Sequence, residues 1–283
     1  MRFLAFLLAL PGLLAGCSSA GMVNSLVSRD DFRLVSGQAY GDGPRRTLDL
    51  YLPAKGGDAK KKPVVVFFYG GNWDSGTKDT YLFLGDALAK RGFIVVIPDY
   101  RIYPEVRYPA FIEDGASAVR WTLAHIAEYG GDPSRVSVMG HSAGGYIALM
   151  LALDRQWLGA DRARIKSAVG LAGPYDFLPL TDPELQIIFG TEADLKDTQP
   201  ITYVDGDAPP VLLVTGRMDT IVSPGNVTRL AARIREHGGK VETERYTLLG
   251  HITLIGSFGA PLRAITPVVG DVVRFFEAAD AGT

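Results

Sequence analysis

Short apolar or β-branched runs recur along the chain at 47–52, 64–68, 93–98, 136–139, 167–171, 211–215 and 241–246. Between them lie longer stretches with helical spacing, at 78–91, 109–129, 143–154, 224–237 and 262–279. Several of the short runs are continuous rather than alternating, as strands are when both of their faces are buried. This alternation predicts an α/β fold, a mostly parallel twisted sheet with helices on both faces. Glycines at 92, 130, 131, 238 and 239 follow the helical stretches, where a left-handed residue closes a last turn. Pro224 falls in a first turn, where its missing N–H costs little.

Two stretches break the rhythm. Residues 173–210 separate two strands by more than one helix needs and hold prolines at 174, 179, 183, 200, 209 and 210. They read as a small cap or lid over the carboxyl edge of the sheet. At the other end, Arg2 precedes an apolar run from Phe3 to Leu10 that continues through Leu13 and Leu14. That is the layout of a secretory signal, and it is short for a membrane span. The division expected is therefore a signal over 1–16, a tether over 17–39 and one α/β domain over 40–283.

Composition narrows the classes. The chain has 283 residues, 47% of them hydrophobic, enough for a full-sized core. A formal net charge of -2 gives no long-range field that would recruit nucleic acid or anionic lipid. Cys17 is the only cysteine, so no disulfide can form within the chain.

The chemistry begins at Gly140-His141-Ser142-Ala143-Gly144, a G-x-S-x-G set between an apolar run and an apolar helix. In that setting it reads as a nucleophile elbow, with Ser142 lifted above the sheet. A serine hydroxyl is a weak nucleophile unless a base takes its proton. Of the four histidines, His125 lies inside a helix, His237 ends one, and His141 belongs to the elbow with its side chain expected to point away from Ser142. His251 follows the run 241–246 and reaches the carboxyl edge, where ligands bind in such folds. It is the candidate base.

A carboxylate must orient that base. Asp219 follows the run 211–215, whereas Asp205 and Asp207 precede it and Glu244 lies within a strand. The order Ser142, Asp219, His251 is nucleophile, acid, base. Two backbone donors must also face the developing oxyanion. Ala143 follows the nucleophile, and the loop Tyr69-Gly70-Gly71-Asn72-Trp73 follows an early strand. Trp73, Tyr100, Tyr175 and Phe177 read equally as pocket wall or as core.

Together, Leu48-Asp49-Leu50-Tyr51-Leu52-Pro53, the loop 69–73, Asp99-Tyr100-Arg101, Gly130-Gly131-Asp132-Pro133 and the elbow resemble the esterase branch of the α/β-hydrolases. The similarity runs from about residue 40 to 277 and points to hormone-sensitive-lipase-like esterases, carboxylesterases and kynurenine formamidases. It implies the α/β-hydrolase fold, oxyanion donors at Gly71, Asn72 and Ala143, and an acyl-enzyme route on small-molecule carboxylic esters, commonly of short acyl chains. It implies no metal and no organic cofactor. Relatives usually start the loop with histidine where this chain has Tyr69, which either braces the loop through its hydroxyl or reaches the pocket. Leu14-Ala15-Gly16-Cys17 resembles the lipobox of bacterial lipoproteins, which implies lipidation of Cys17 and an exported, membrane-anchored protein of the cell envelope.

Other acyl bonds remain open: an N-formyl amide, a peptide, or an acetyl group on a polysaccharide. Outside catalysis, the alternatives are a binding protein on the same scaffold and a structural envelope lipoprotein. Loss of a residue of the Ser–His–Asp set would favour the first, and the chain keeps all three.

Overall fold

The computed structural model describes residues 19–54, 61–190 and 193–282. The expected signal over 1–16 and Cys17 lie outside the described residues. The apolar runs become strands of one eight-stranded sheet. In chain order these are β1 (Phe32–Ala39), β2 (Thr47–Pro53), β3 (Lys62–Phe68), β4 (Ile94–Pro98), β5 (Gly131–His141), β6 (Ile165–Leu171), β7 (Val211–Gly216) and β8 (Val241–Tyr246). Their spatial order is β1-β2-β4-β3-β5-β6-β7-β8. β2 pairs antiparallel with both β1 and β4, and all the other pairs are parallel. This is the α/β-hydrolase fold.

Burial explains which runs are continuous. Every residue of β4 and β7 is buried, because helices cover both faces there. β8 at one edge is half exposed, and its Glu242, Glu244 and Arg245 leave a charged border that discourages pairing with another chain. The helices are α1 (Ser19–Ser25), α2 (Leu82–Ala89), α3 (Ala110–His125), α4 (Ala143–Leu153), α5 (Arg155–Leu158), α6 (Pro183–Phe189), α7 (Gly225–Glu236), α8 (His251–Gly256), α9 (Ala260–Arg263) and α10 (Val268–Ala281). α2 and α10 pack on one face of the sheet; α3, α4 and α7 pack on the other. α4, buried at every position, is the central helix.

Three expectations need correction. The helix expected over 262–279 is two helices, α9 and α10, because Pro267 has no N–H to carry the first into the second. The stretch 78–91 opens with a 3-10 turn, Lys78–Tyr81, before α2. The tether expected over 17–39 is not free chain from residue 19 onward. Asn24 in α1 donates from Nδ2 to the Thr80 carbonyl (3.0 Å) and accepts the Phe83 N–H (3.1 Å). β1 pairs with β2 across a bulge at Gly37, whose N–H donates to Asp49 Oδ1 (2.9 Å). Phe32 packs on Tyr51 with ring centroids 5.3 Å apart, which docks this edge to the core.

Residues 173–210 cross the carboxyl edge of the sheet between β6 and β7 as short helical turns around α6. Asp182 caps α6 by accepting the N–H of Glu184 (2.8 Å), with Pro183 in the first turn. The segment is fastened at its base. Asn226 Oδ1 accepts the N–H of Tyr175 (2.8 Å) and Asp176 (2.9 Å), and Gln199 Oε1 accepts that of Phe177 (2.8 Å). Phe189 meets Trp73 edge-on at 4.9 Å and so ties the segment to the loop after β3.

Candidate active site

β5 ends at His141, and α4 begins at Ala143, so Ser142 alone makes the turn. Its φ of 56° and ψ of −124° lie outside the ordinary allowed regions, the strained geometry of a nucleophile elbow. The two flanking glycines are obligatory. A Cβ on Gly140 would lie 2.1 Å from the Gly144 carbonyl oxygen, and one on Gly144 would lie 2.0 Å from that of Phe68. The turn is held from below by the Ser142 N–H, which donates to the Leu171 carbonyl of β6 (2.9 Å).

Asp219 sits in the loop after β7 and His251 opens α8 after β8, so parallel strands deliver both to the same edge as Ser142. Nδ1–H of His251 donates to Asp219 Oδ2 at 2.9 Å, and both side chains are buried. Oδ1 of Asp219 accepts the N–H of Ile221 (3.0 Å) and Val222 (2.8 Å). Burial alone would raise the Asp219 pKa. The bond from His251 and the backbone N–H groups outweigh it and hold the carboxyl below its usual range. Asp219 is thus ionised and fixed, with one oxygen for the backbone and one for the imidazole. The rival carboxylates are occupied elsewhere: Asp205 pairs with Arg155 and Arg162, Asp207 with Arg155, and Glu244 with Arg274.

Ser142, His251, Gly71, Asn72 and Ala143 all line one cavity of about 900 Å³. Gly71, Asn72 and Trp73 have φ of 136°, 51° and 62°, three successive residues in the left-handed half of backbone space. The Gly71 carbonyl accepts from the backbone N–H of Asp74 (3.0 Å) and Ser75 (2.9 Å), and the Trp73 carbonyl accepts the Tyr103 N–H (2.8 Å). Packing and hydrogen bonds therefore offset the strain and keep the loop close to Ser142. Gly70 is part of that fit, since a Cβ there would approach Ser142 Cβ to 2.9 Å.

Tyr69 takes the bracing role. It is fully buried, its hydroxyl donates to Asp99 Oδ1 (2.8 Å), and Arg45 Nη2 donates to it (3.0 Å). Its ring stacks on Tyr100 at 4.7 Å, and Tyr100 in turn donates to the Tyr69 carbonyl (2.7 Å). Burial raises the Tyr69 pKa and keeps the phenol a neutral donor. Of the four aromatic candidates, Trp73 and Phe177 line the cavity, whereas Tyr100 and Tyr175 are buried away from it.

His141 is the residue the sequence reading missed. Its ring lies 4.6 Å from that of His251, and its Nε2–H donates to the His251 carbonyl at 3.1 Å. Nδ1 is then the unprotonated nitrogen, buried without a hydrogen-bond partner among the described residues. Burial, and next to it the neighbouring His251, lower the His141 pKa from 6.5 to about 3. Between those values a proton binds His141 in the unfolded chain but not in the folded one, so stability falls as pH drops through this window. Denaturant unfolding at pH 6.5 and pH 4.5 should show a loss on the order of 1–3 kcal/mol from this group. His141→Leu should flatten that slope whatever its effect at neutral pH; equal slopes for the two proteins would refute the assignment.

The BD-FAE family model matches residues 48–234, the greater part of the chain, and the chain belongs to that family. It is 31% identical over 266 residues to an isoprenylcysteine alpha-carbonyl methylesterase of Arabidopsis thaliana, covering 85% of this chain and 61% of the relative. It is 30% identical over 219 residues to Esterase LipC of Mycobacterium tuberculosis, covering 69% of this chain and 54% of that one. The chain thus spans between half and two thirds of the length of these relatives. Among solved structures, Esterase B from Lactobacillus rhamnosis, carrying a C4-C4 tributyrin phosphonate, superposes with a TM-score of 0.80 at 21% identity over 93% of this chain and 91% of the other. A carbohydrate esterase from gut microbiota gives 0.78 at 23% identity, over 90% and 99%.

Proposed function

We propose that this member of the BD-FAE family is a serine esterase that hydrolyses carboxylic esters of short acyl chains through an acyl-enzyme. The observation that carries the reading is the 2.9 Å bond from His251 to an ionised Asp219, with His251 facing the same cavity as the elbow serine. With Nδ1 committed to the carboxylate, His251 Nε2 is the basic nitrogen and takes the Ser142 proton as Oγ bonds to the substrate carbonyl carbon. The carbonyl π pair moves to oxygen, and the backbone N–H groups of Asn72 and Ala143, with Gly71 beside them, face the resulting oxyanion. The C–O bond to the alcohol then breaks, and Nε2 returns its proton to the departing oxygen. Water repeats the sequence on the acyl group: it loses a proton to Nε2, attacks the carbon and releases the acid as Ser142 Oγ regains a proton.

Short acyl groups suit the wall beside Asn72, where Trp73 and Phe177 both line the cavity and stack at 6.2 Å. The C4-C4 phosphonate named with Esterase B agrees with this preference. A p-nitrophenyl ester series tests the reading: kcat/KM should peak between acetate and butyrate, with an initial burst equal to the enzyme concentration. A rate that rises steadily to dodecanoate would remove the short-chain preference, and no hydrolysis of any member would remove the esterase. We further propose that Cys17 carries lipid and fixes the protein to the cell envelope. Cys17→Ala should then move it from the membrane fraction to the soluble one.

A further inference from the structure

The cavity that holds Ser142 and His251 has an unusual mouth. Its lining includes Ala20 and Val23 of α1, together with Ile221 beside Asp219 and Ile252 beside His251. Outside that lining, Met218 and Leu248 flank the same two loops, whose backbones touch: the Met218 N–H donates to the Leu249 carbonyl (3.0 Å). These side chains are open to solvent, Leu248 at 82% and Ile221 at 65% exposed. Met22 on α1 is exposed as well. Most of the large apolar side chains left exposed among the described residues therefore belong to elements around one opening. Scattered single residues would need no explanation, but four exposed apolar side chains on the two loops that carry Asp219 and His251 do.

The chain itself names the occupant. α1 begins at Ser19, two residues after Cys17, and an extended chain spans about 3.3–3.6 Å per residue. Any lipid on Cys17 therefore starts within about 7 Å of the backbone of α1, at the rim. A long tether would let the domain turn freely, but here α1 is bonded to the domain through Asn24.

We infer that the mouth of the cavity is a membrane-docking face, with Met22, Met218, Ile221, Leu248 and Ile252 set into the lipid boundary. The inference rests on the esterase reading and narrows its substrate class: esters with a short acyl group on an apolar alcohol, drawn from the lipid phase. The acyl group sits against Trp73, and the alcohol trails through the apolar mouth into the bilayer from which it came. Burying each such side chain in the boundary favours docking in proportion to the apolar area removed from water.

Two measurements on the full chain test this. Leu248→Trp and Glu128→Trp each add one tryptophan, the second at the opposite edge of the sheet. In vesicles of brominated phosphatidylcholine and phosphatidylglycerol the tryptophan at 248 should be quenched and blue-shifted, and the one at 128 should not. Quenching of both alike, or of neither, overturns the docking face without reference to turnover. The second measurement compares the parent with Met218→Gln/Leu248→Gln, two side chains that do not line the cavity. Hydrolysis of hexadecyl butyrate in the same vesicles should fall at least tenfold, while p-nitrophenyl acetate in water changes less than twofold. An unchanged vesicle rate overturns the proposal. So does a parent dimer that the double variant splits while the vesicle rate holds, which would make the rim a contact between two copies. Loss of both activities in the parent would instead mark failure of the esterase reading, with the quenching result still deciding the docking.

Discussion

Ser142→Ala should lower kcat for p-nitrophenyl acetate by about 10⁴–10⁶-fold and leave the melting temperature within a few degrees of the parent. On the proposed mechanism the loss is large because Ser142 alone forms the covalent intermediate, and the proposed oxyanion donors and substrate binding would retain only a residual acceleration. The fold should survive because the turn is held through the Ser142 backbone rather than its hydroxyl. The backbone strain at φ 56° is supplied by the Ser142 N–H bond to Leu171 and by the glycines around it, and alanine meets the same constraints. Circular dichroism and steady-state kinetics on one preparation check both halves. Turnover equal to the parent would place the chemistry elsewhere.

Asp219→Asn should cost about 10⁴-fold in kcat, with KM little changed. The Asn carbonyl oxygen can still accept the N–H groups of Ile221 and Val222, as Asp219 Oδ1 does at 3.0 and 2.8 Å. That turns the amide NH₂ toward His251, which can receive it only with Nδ1 unprotonated. The imidazole proton then moves to Nε2, the nitrogen that has to be basic. Geometry is preserved and the tautomer is wrong. A loss below tenfold would mean that Asp219 merely anchors a loop.

Much of this architecture was legible from the chain. The apolar runs of β2 to β7 could be read because both faces of those strands are buried, so every position carries the signal. β1 could not, because most of Phe32–Ala39 faces solvent and only its pairing with β2 makes it a strand. The tether reading of 17–39 failed for the same reason: polar, small-residue sequence looks loose until Asn24 and Phe32 find partners far along the chain. Ser142, Asp219 and His251 could be singled out because a parallel sheet sends whatever follows each strand to the same edge.

What sequence spacing could not supply was side-chain direction. His141 was expected to turn away from the nucleophile, but what it turns toward could not be read: its ring lies against His251 and its Nε2–H holds that residue's carbonyl. The one signal was its position inside the elbow, which forces a side chain under the loop after β3. Tyr69 could be read two ways until Asp99 and Arg45 were seen on its hydroxyl. The exposed Met218, Leu248 and Ile252 were hidden too, since they are unremarkable in sequence and come together only where the loops after β7 and β8 touch.

The most direct test of the central claim is mass spectrometry after incubation with a fluorophosphonate. One equivalent should add to the Ser142 peptide, slowly in Asp219→Asn and not at all in Ser142→Ala. An unmodified parent, or an adduct on any other residue, would contradict the account.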